Sequence, residues 1–437
     1  MMRTHAVVPL TDDLARRVVE MRRDFHRFPE LGLTEFRTAA TIARHLEQLD
    51  IEVRGGREVM DERSRIGVPP ADVIDHAFAR AKDEGADPRW LDRFSGGYTA
   101  VVGTLRGEHP GPTVALRCDI DALPILESDE HAHLPAREGF ASAHRGIMHA
   151  CGHDVHAAIG LGVAEILSAQ RSRINGTVKF IFQPAEEGGR GAVPMRDAGV
   201  VDDVDYFVAI HVGMNAESGV LYPIVTGQLA SEKFDVTFKG RAAHAGGRPE
   251  EGRNAMLGAA QAIMGLYAIP RHHAGRSRVN VGVMQAGSGR NVIPDRAFFM
   301  MEVRGDTEAI CEYMVDRATA IINGAAVAQG LEVEIASAGR TTTAECSPKL
   351  AQAVARAAEP VPNLRVTLEP KGAAGSEDAT FFMKRVQERG GQAIYVGVGS
   401  ETIGGHHTPI FDIAESDIAP AVQAIASALL AVGEHPP

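Results

Sequence analysis

The chain has 437 residues, more than one hydrophobic core usually organises, so two domains or one domain carrying a large insertion are expected. Hydrophobic residues at 44% and charged residues at 23% are ordinary globular values, and no apolar run approaches the roughly 20 residues a membrane helix needs. The net charge of −12 argues against nucleic acid and requires any anionic ligand to find local positive charge. Cys118, Cys151, Cys311 and Cys346 are scattered singly, and Met1 to Leu10 lacks a leader pattern, which points to cytoplasmic residence and no membrane partner.

Thr11 can cap a helix with Leu14, Val18, Met21 and Phe25 on one face, and Thr34 a second with Phe36, Ala40, Ala43 and Leu46. Residues 61–94, within an excursion spanning about 57–95, are charged. They carry a short helical pattern around Val73, Ile74 and Phe78, and the only tryptophan, Trp90. Strand-like runs follow at 99–105, 113–118, 178–182 and 206–211, with a helix at 154–170 between them. This alternation predicts an α/β fold, a doubly wound, mostly parallel sheet with helices on its faces. From about 226 the order becomes strand 234–239, helix 254–267, strands 278–284 and 298–304, helix 308–329 and strand 331–335. That β-α-β-β-α-β series predicts a ferredoxin-like α+β domain. After 341 the first texture returns, with a helix at 348–358, a strand at 393–396 and a last helix at 420–432. The expected organisation is a catalytic domain in two parts, 1–225 and 342–437, interrupted by a domain at 226–341.

His149 to Asp154 pack soft ligands and a carboxylate into six residues, and Cys151 and His153 have the alternate spacing that could grip one transition metal. A buried inert cysteine, or a Cys/His nucleophile pair, would also suit this hexapeptide. Glu186 and Glu187 follow the apolar strand ending at Phe182, at the edge where open α/β sheets bind ligands. Adjacent side chains diverge, so one carboxylate can coordinate metal while its neighbour takes a proton; a solvated Glu pair fits as well. His211 closes the next strand, and Gly404 to Pro409 form a loop presenting His406 and His407. Together these residues could serve two metal ions.

The run Arg117 to Pro124, the Met148 to His156 motif, Glu186-Glu187, His211, Ala243 to Gly246 and Ser376-Glu377-Asp378 resemble the M20 amidohydrolases. Within that family the likeness is to the branch of hippurate, N-acyl-amino-acid and auxin-conjugate hydrolases, in order from about Arg22 to the end. The resemblance implies that Cys151, His153, Glu187, His211 and His407 bind two divalent metals, manganese in preference to zinc. It implies Glu186 as general base and His244, in a lid and dimerisation domain, as oxyanion donor lent by a partner subunit, in a homodimer or a heterodimer with a homologous subunit. His407 is preferred to His406 because it directly precedes Thr408-Pro409. Wider M20 peptidases carry a ligand histidine where Arg117 stands, and arginine cannot coordinate metal.

Asp119 and Asp121 are then expected to orient imidazoles, with capping after the strand as the alternative. Cys118 points to the opposite strand face and reads as core. An N-acyl-glutamate substrate would need a planar donor for its carboxylates, for which Arg290 beside Asn291, and then Arg190, are the candidates; surface ion pairs are the alternative for both. Three other readings are a broader aminoacylase, a thiol hydrolase using Cys151 and a non-catalytic partner subunit.

Overall fold

The computed structural model describes residues 7–373 and 375–434. Thr11 caps the helix Asp12–Arg27 by accepting the Leu14 N–H at 3.2 Å, and Leu14, Val18 and Phe25 bury on its inner face. Thr34 does not cap the next helix, Phe36–Gln48; its hydroxyl donates to Leu31 O, and the Glu30 carboxylate takes the Arg37 and Thr38 N–H groups instead. A longer acidic side chain, reaching from an earlier turn, fills the role that local spacing assigned to threonine.

The central sheet has eight strands, in the order Glu52–Gly55, Val101–Arg106, Asn175–Gln183, His109–Asp119, Tyr206–Val212, Gln392–Val398, Val220–Tyr222 and Arg365–Val366. Its middle four strands are mutually parallel, while the strands Glu52–Gly55 and Val101–Arg106 pair antiparallel. Alternation along His109–Asp119 sends Val114, Leu116 and Cys118 into one core and Ala115 into another. The helices His153–Ala169 and Ile418–Gly433 contribute to the first of these cores, and Thr380–Glu388 to the second. This is the expected mostly parallel α/β arrangement, and Cys118 is core as expected.

The last helix is longer than its sequence pattern predicts. With the turn before it, it is apolar and long enough to cross a membrane by composition, a correction to the reading that no such run exists. Most of that segment is buried in the protein, as a core helix of a sheet-centred fold must be.

The excursion forms two helices, Ala71–Asp83 and Pro88–Phe94. Trp90 stacks on Phe94 at 5.7 Å between centroids, and both join the core. The excursion is therefore packed structure rather than a loose loop.

The chain divides into two compact units. One comprises residues up to Thr226, Ala344–Ala373 and the chain from Asp378 on; the other comprises Gly227–Thr343 and a short return just before Asp378. That return escapes periodicity because it is only a few residues, tied by the Leu229 N–H to Gly375 O at 3.1 Å. The second unit is an antiparallel sheet in the order Ser277–Ala286, Arg296–Gly305, Ala230–Lys239, Glu332–Thr341, packed with helices Ala255–Tyr267 and Glu308–Gln329. Numbered along the chain the strands lie 2-3-1-4, the order of a ferredoxin-like split βαβ fold.

Candidate metal centre

Three parallel strands end side by side and deliver the candidate residues. Asp119 ends one strand and Asp121 follows it, Glu186 and Glu187 follow Gln183, and His211 lies one residue before the end of Tyr206–Val212. His153 begins its helix after Gly152, whose φ of +89° and the 2.5 Å approach of Val212 Cγ2 to any added Cβ demand glycine. Paired backbone hydrogen bonds between Leu123 and Met148, both 3.0 Å, pin the strand exit to the start of the His149 to Asp154 run. The His407 N–H donates to Ala150 O at 2.8 Å and brings in the C-terminal loop.

Cys151 Sγ lies 3.5 Å from His211 Nε2, and the ligand atoms of Cys151, His153 and His211 fall within 4.8 Å of one another. The same holds for Cys151, Glu187 and His407, and for His153, Glu186 and Glu187. In both His153 and His211 the other nitrogen is committed. His153 Nδ1 donates to Asp121 O at 2.9 Å and faces Asp121 Oδ1 at 3.2 Å, while His211 Nδ1 donates to Val212 O at 2.8 Å. In the neutral form each ring therefore presents its Nε2 lone pair inward, the tautomer a metal requires.

His153 Nε2 is buried with no hydrogen-bond partner of ordinary geometry among the described residues. Carboxylate oxygens of Asp119, Glu186 and Glu187 stand 3.8–3.9 Å away. That gap is too long for a hydrogen bond and suits atoms sharing a cation. The donor set of thiolate, imidazole and carboxylate thus fits divalent transition metals.

Burial, then the nearby Glu187 charge, pushes the Cys151 thiol well up, so without a cation it is a poor thiolate. Burial opposes charge on His153, but Asp119 and the Asp121 hydrogen bond outweigh it and raise its pKa well above the ordinary value. Glu187 is held below the usual range despite burial, by His407 and His153.

His406 and His407 both reach the cluster. His407, at φ +62° and half exposed, has Nε2 at 3.4 Å from Glu187 Oε1. His406 Nε2 accepts the Met214 N–H at 3.1 Å, so its proton sits on Nδ1, 3.5 Å from Cys151 Sγ, as a donor to sulfur. Arg117 is fully buried, giving hydrogen bonds to Gln183 Oε1, Asp119 Oδ2 and Asp378 Oδ1, and so fixes Asp119 without approaching as a ligand.

Arg190 donates from Nη1 to Gly67 O at 2.6 Å and is therefore engaged by the excursion rather than by a surface carboxylate. In the second unit, Val292 pairs with His244 in a two-stranded ribbon, and Asn291 O accepts the Ala245 N–H. His244, Arg290 and Asn291, distant in sequence, are thus neighbours on one exposed ribbon. Gly246 and Gly247 N–H groups donate to His244 Nδ1, which leaves the proton on Nε2.

The profile of peptidase family M20/M25/M40 matches residues 115–431. The chain belongs to this family. Two curated relatives are each 47% identical. One is an indole-3-acetyl-aspartic acid hydrolase of Enterobacter agglomerans, covering 96% of this chain and 97% of that protein. The other is one of the subunits of p-aminobenzoyl-glutamate hydrolase from Escherichia coli K12, covering 96% of each. Among solved structures, an aminobenzoyl-glutamate utilization protein from Klebsiella pneumoniae matches with TM-score 0.83 and 44% identity over 96% of each chain. A dinuclear metal-binding M20 peptidase from Bacillus subtilis matches with TM-score 0.68 and 26% identity over 97% of this chain and 99% of that one. This M20 chain is accordingly a hydrolase of amide bonds, in a family of dinuclear metal-binding peptidases.

Two features of this M20 site were not assigned from sequence. His156 joins the cluster through Asp119, to which Nδ1 donates, and Val212, whose N–H enters Nε2 at 2.8 Å. Burial, partly offset by Asp119, lowers its pKa to about 4, so it is a neutral strut between two strand ends. Its signal was the spacing His153, His156, one helical turn on the same face.

The second feature is a buried ionic chain beneath the His149 to Asp154 run. Arg22 donates to Asp154 at 2.9 Å and Asp412 at 2.6 Å, while His26 donates to Asp154 at 2.8 Å and Glu127 at 2.9 Å. Burial disfavours charge on His26, but the hydrogen bonds to Asp154 and Glu127 prevail and raise its pKa from 6.5 to about 9. A raised folded-state value stabilises fully below the unfolded pKa and is lost as pH rises through the folded one. His26→Gln is therefore expected to lower unfolding free energy most at about pH 6, on the order of 3 kcal/mol at most, and progressively less towards pH 9. Denaturant titrations at several pH values would show it; a pH-independent difference would contradict it.

Proposed function

We propose that this M20 hydrolase cleaves the amide bond between an aromatic acyl group and an acidic amino acid, with p-aminobenzoyl-glutamate as the substrate, giving p-aminobenzoate and glutamate. The observation that carries the reading is the Cys151, His153, Glu187 and His211 cluster with a second carboxylate, Glu186, at its rim. Specificity draws support from two relatives of equal identity, whose named substrates both join an aromatic acyl group to a dicarboxylic amino acid. Indole-3-acetyl-aspartate is for that reason the second reading.

Cys151, His153, Glu187, His211 and His407 would hold two divalent ions, manganese in preference to zinc, which would supply Lewis acidity and an acidified water. His407 is favoured over His406 because the Met214 N–H already occupies His406 Nε2. Glu186 takes the proton of the attacking water and returns it to the leaving amine. Asp121 keeps His153 in its ligating tautomer, and Asp119 aligns His156 and faces His153. His244 Nε2–H donates to the developing oxyanion, lent by a second protomer. Arg290, beside Asn291, receives the substrate's carboxylates. Arg190 is the weaker candidate, since Gly67 O already holds one of its nitrogens.

The Gly227–Thr343 unit is read as the inserted lid and dimerisation domain. It exposes Met256, Leu257, Met264 and Tyr267 on one helix, Met264 at 76%, and Val283 and Met284 on the edge strand Ser277–Ala286. An apolar face beside an unpaired edge suits a second copy or a homologous subunit. Four free cysteines support the cytoplasm as its compartment.

The test compares p-aminobenzoyl-glutamate, indole-3-acetyl-aspartate and hippurate as substrates of the wild type and Arg290→Ala. The glutamate conjugate is expected to be cleaved with the highest kcat/KM, and Arg290→Ala to raise KM at least tenfold for both acidic conjugates while sparing hippurate. Equal effects on all three would remove Arg290 from recognition, and preference for hippurate would replace the reading with a general aminoacylase.

A further inference from the structure

Three successive backbone N–H groups of the turn carrying Glu186 and Glu187 point into two buried carboxylates. The Ala185 N–H donates to Glu35 Oε1 at 2.8 Å, the Glu186 N–H to Asp121 Oδ1 at 3.0 Å and the Glu187 N–H to Asp121 Oδ2 at 3.1 Å. The turn needs such a hold because Ala185 has φ +54°, a left-handed conformation that a residue with a Cβ disfavours. Gly32 closes the other side, where an added Cβ would stand 2.9 Å from both Ala185 Cα and Cβ.

Glu35 sits at the start of the helix Phe36–Gln48 yet makes no capping bond to it, since Glu30 serves that helix. Its second oxygen accepts the Thr99 hydroxyl at 2.6 Å, tying it to the entry of the strand Val101–Arg106. A fully buried carboxylate that ignores its own helix and spans to a strained peptide 150 residues away serves that peptide.

We propose that Glu35 is a positioning residue for hydrolysis, acting through the Ala185 N–H to hold the turn that aims Glu186 at the attacking water and Glu187 at the metals. This rests on the roles given to those two residues above. Without Glu35, Ala185 relaxes towards negative φ, the peptide planes on either side of it rotate, and both carboxylates leave their places. The Asp121 bonds alone do not prevent this, because they begin one residue later.

The experiment uses the full chain, stripped of metal, and reads Mn2+ affinity by calorimetry, kcat and KM on p-aminobenzoyl-glutamate, and the unfolding midpoint. Glu35→Ala is expected to weaken Mn2+ binding and to lower kcat by about 10–100-fold each, with KM little changed. Glu35→Gln, which can still accept the Ala185 N–H, is expected to recover most of both. Adding Ala185→Gly to Glu35→Ala should restore part of them, because glycine adopts positive φ freely. Glu30→Ala removes an equally buried carboxylate that does not touch the turn; it should lower the midpoint while leaving Mn2+ affinity and kcat near wild type.

Mn2+ affinity and kcat of Glu35→Ala within twofold of wild type, or equal losses in Glu30→Ala, would overturn the proposal. Should Glu35→Ala not fold, Thr99→Val decides: a several-fold loss of Mn2+ affinity supports the clamp and no loss overturns it. A wild type that binds Mn2+ but leaves p-aminobenzoyl-glutamate intact would defeat the substrate reading alone, and the affinity comparison would still judge Glu35.

Discussion

Glu186→Gln should lower kcat on p-aminobenzoyl-glutamate by about 10²–10⁴-fold while leaving KM and bound metal close to wild type. The substitution keeps the shape of the side chain and its backbone bond to Asp121 but removes the ability to take a proton. Glu186 Oε2 is 3.9 Å from His153 Nε2 and the residue is 9% exposed, so it stands at the edge of the cluster, where an attacking water would meet it. Glu187→Gln is the contrast. Its carboxylate lies among the ligand atoms of Cys151 and His407, so it should lose metal as well as activity. Paired metal analysis and steady-state kinetics separate the two. A Glu186→Gln variant within tenfold of wild type would show that another group is the base.

Removal of divalent metal should abolish turnover, and Mn2+ should restore it. The alternative chemistry, a Cys151 nucleophile paired with histidine, survives chelation and predicts the opposite. The cluster disfavours that alternative on physical grounds: burial and the Glu187 charge push the thiol well up, so the sulfur is a weak nucleophile until a cation neutralises its surroundings. Stability provides a second reading of the same experiment. Metal at one hundredfold over its dissociation constant should stabilise the fold by about 3 kcal/mol, so a chelator should lower the unfolding midpoint. A metal-free protein with full activity and an unchanged midpoint would sink the two-metal assignment.

The legible part of this protein was its periodicity and its ligand spacing. The helices Glu308–Gln329 and Pro348–Ala358 coincide with the spans predicted from the sequence, the first an uninterrupted run free of proline and the second opened by Pro348 with Leu350, Ala351, Val354, Ala357 and Ala358 on its buried face. The short helices Ala192–Asp197 and Thr380–Glu388 were not anticipated; each is stabilised by what it packs against more than by its own repeat. Candidate ligands were readable for a similar reason: Cys151 and His153 are close in the chain, and Glu186, Glu187 and His211 each sit where a strand runs out.

What could not be read was which buried groups serve the others. Glu30 and Glu35 look alike in sequence, five residues apart, yet one caps a helix and the other reaches the turn that carries Glu186 and Glu187. His406 and His407 are adjacent, yet the Met214 N–H enters His406 Nε2 while His407 Nε2 faces Glu187. Arg22, His26 and Asp154 form one ionic chain with Asp412, although Arg22 and Asp412 lie 390 residues apart.

The amino-acid sequence by itself determined the α/β class, the interrupting α+β segment and a set of candidate metal-gripping side chains, because period and residue chemistry are local properties of the chain. Tertiary structure alone decided which imidazole nitrogen is bare, which carboxylate is buried against a peptide N–H and which arginine is already engaged. Each of those depends on a hydrogen-bond partner supplied from a distant segment, and such a partner leaves no trace in local spacing.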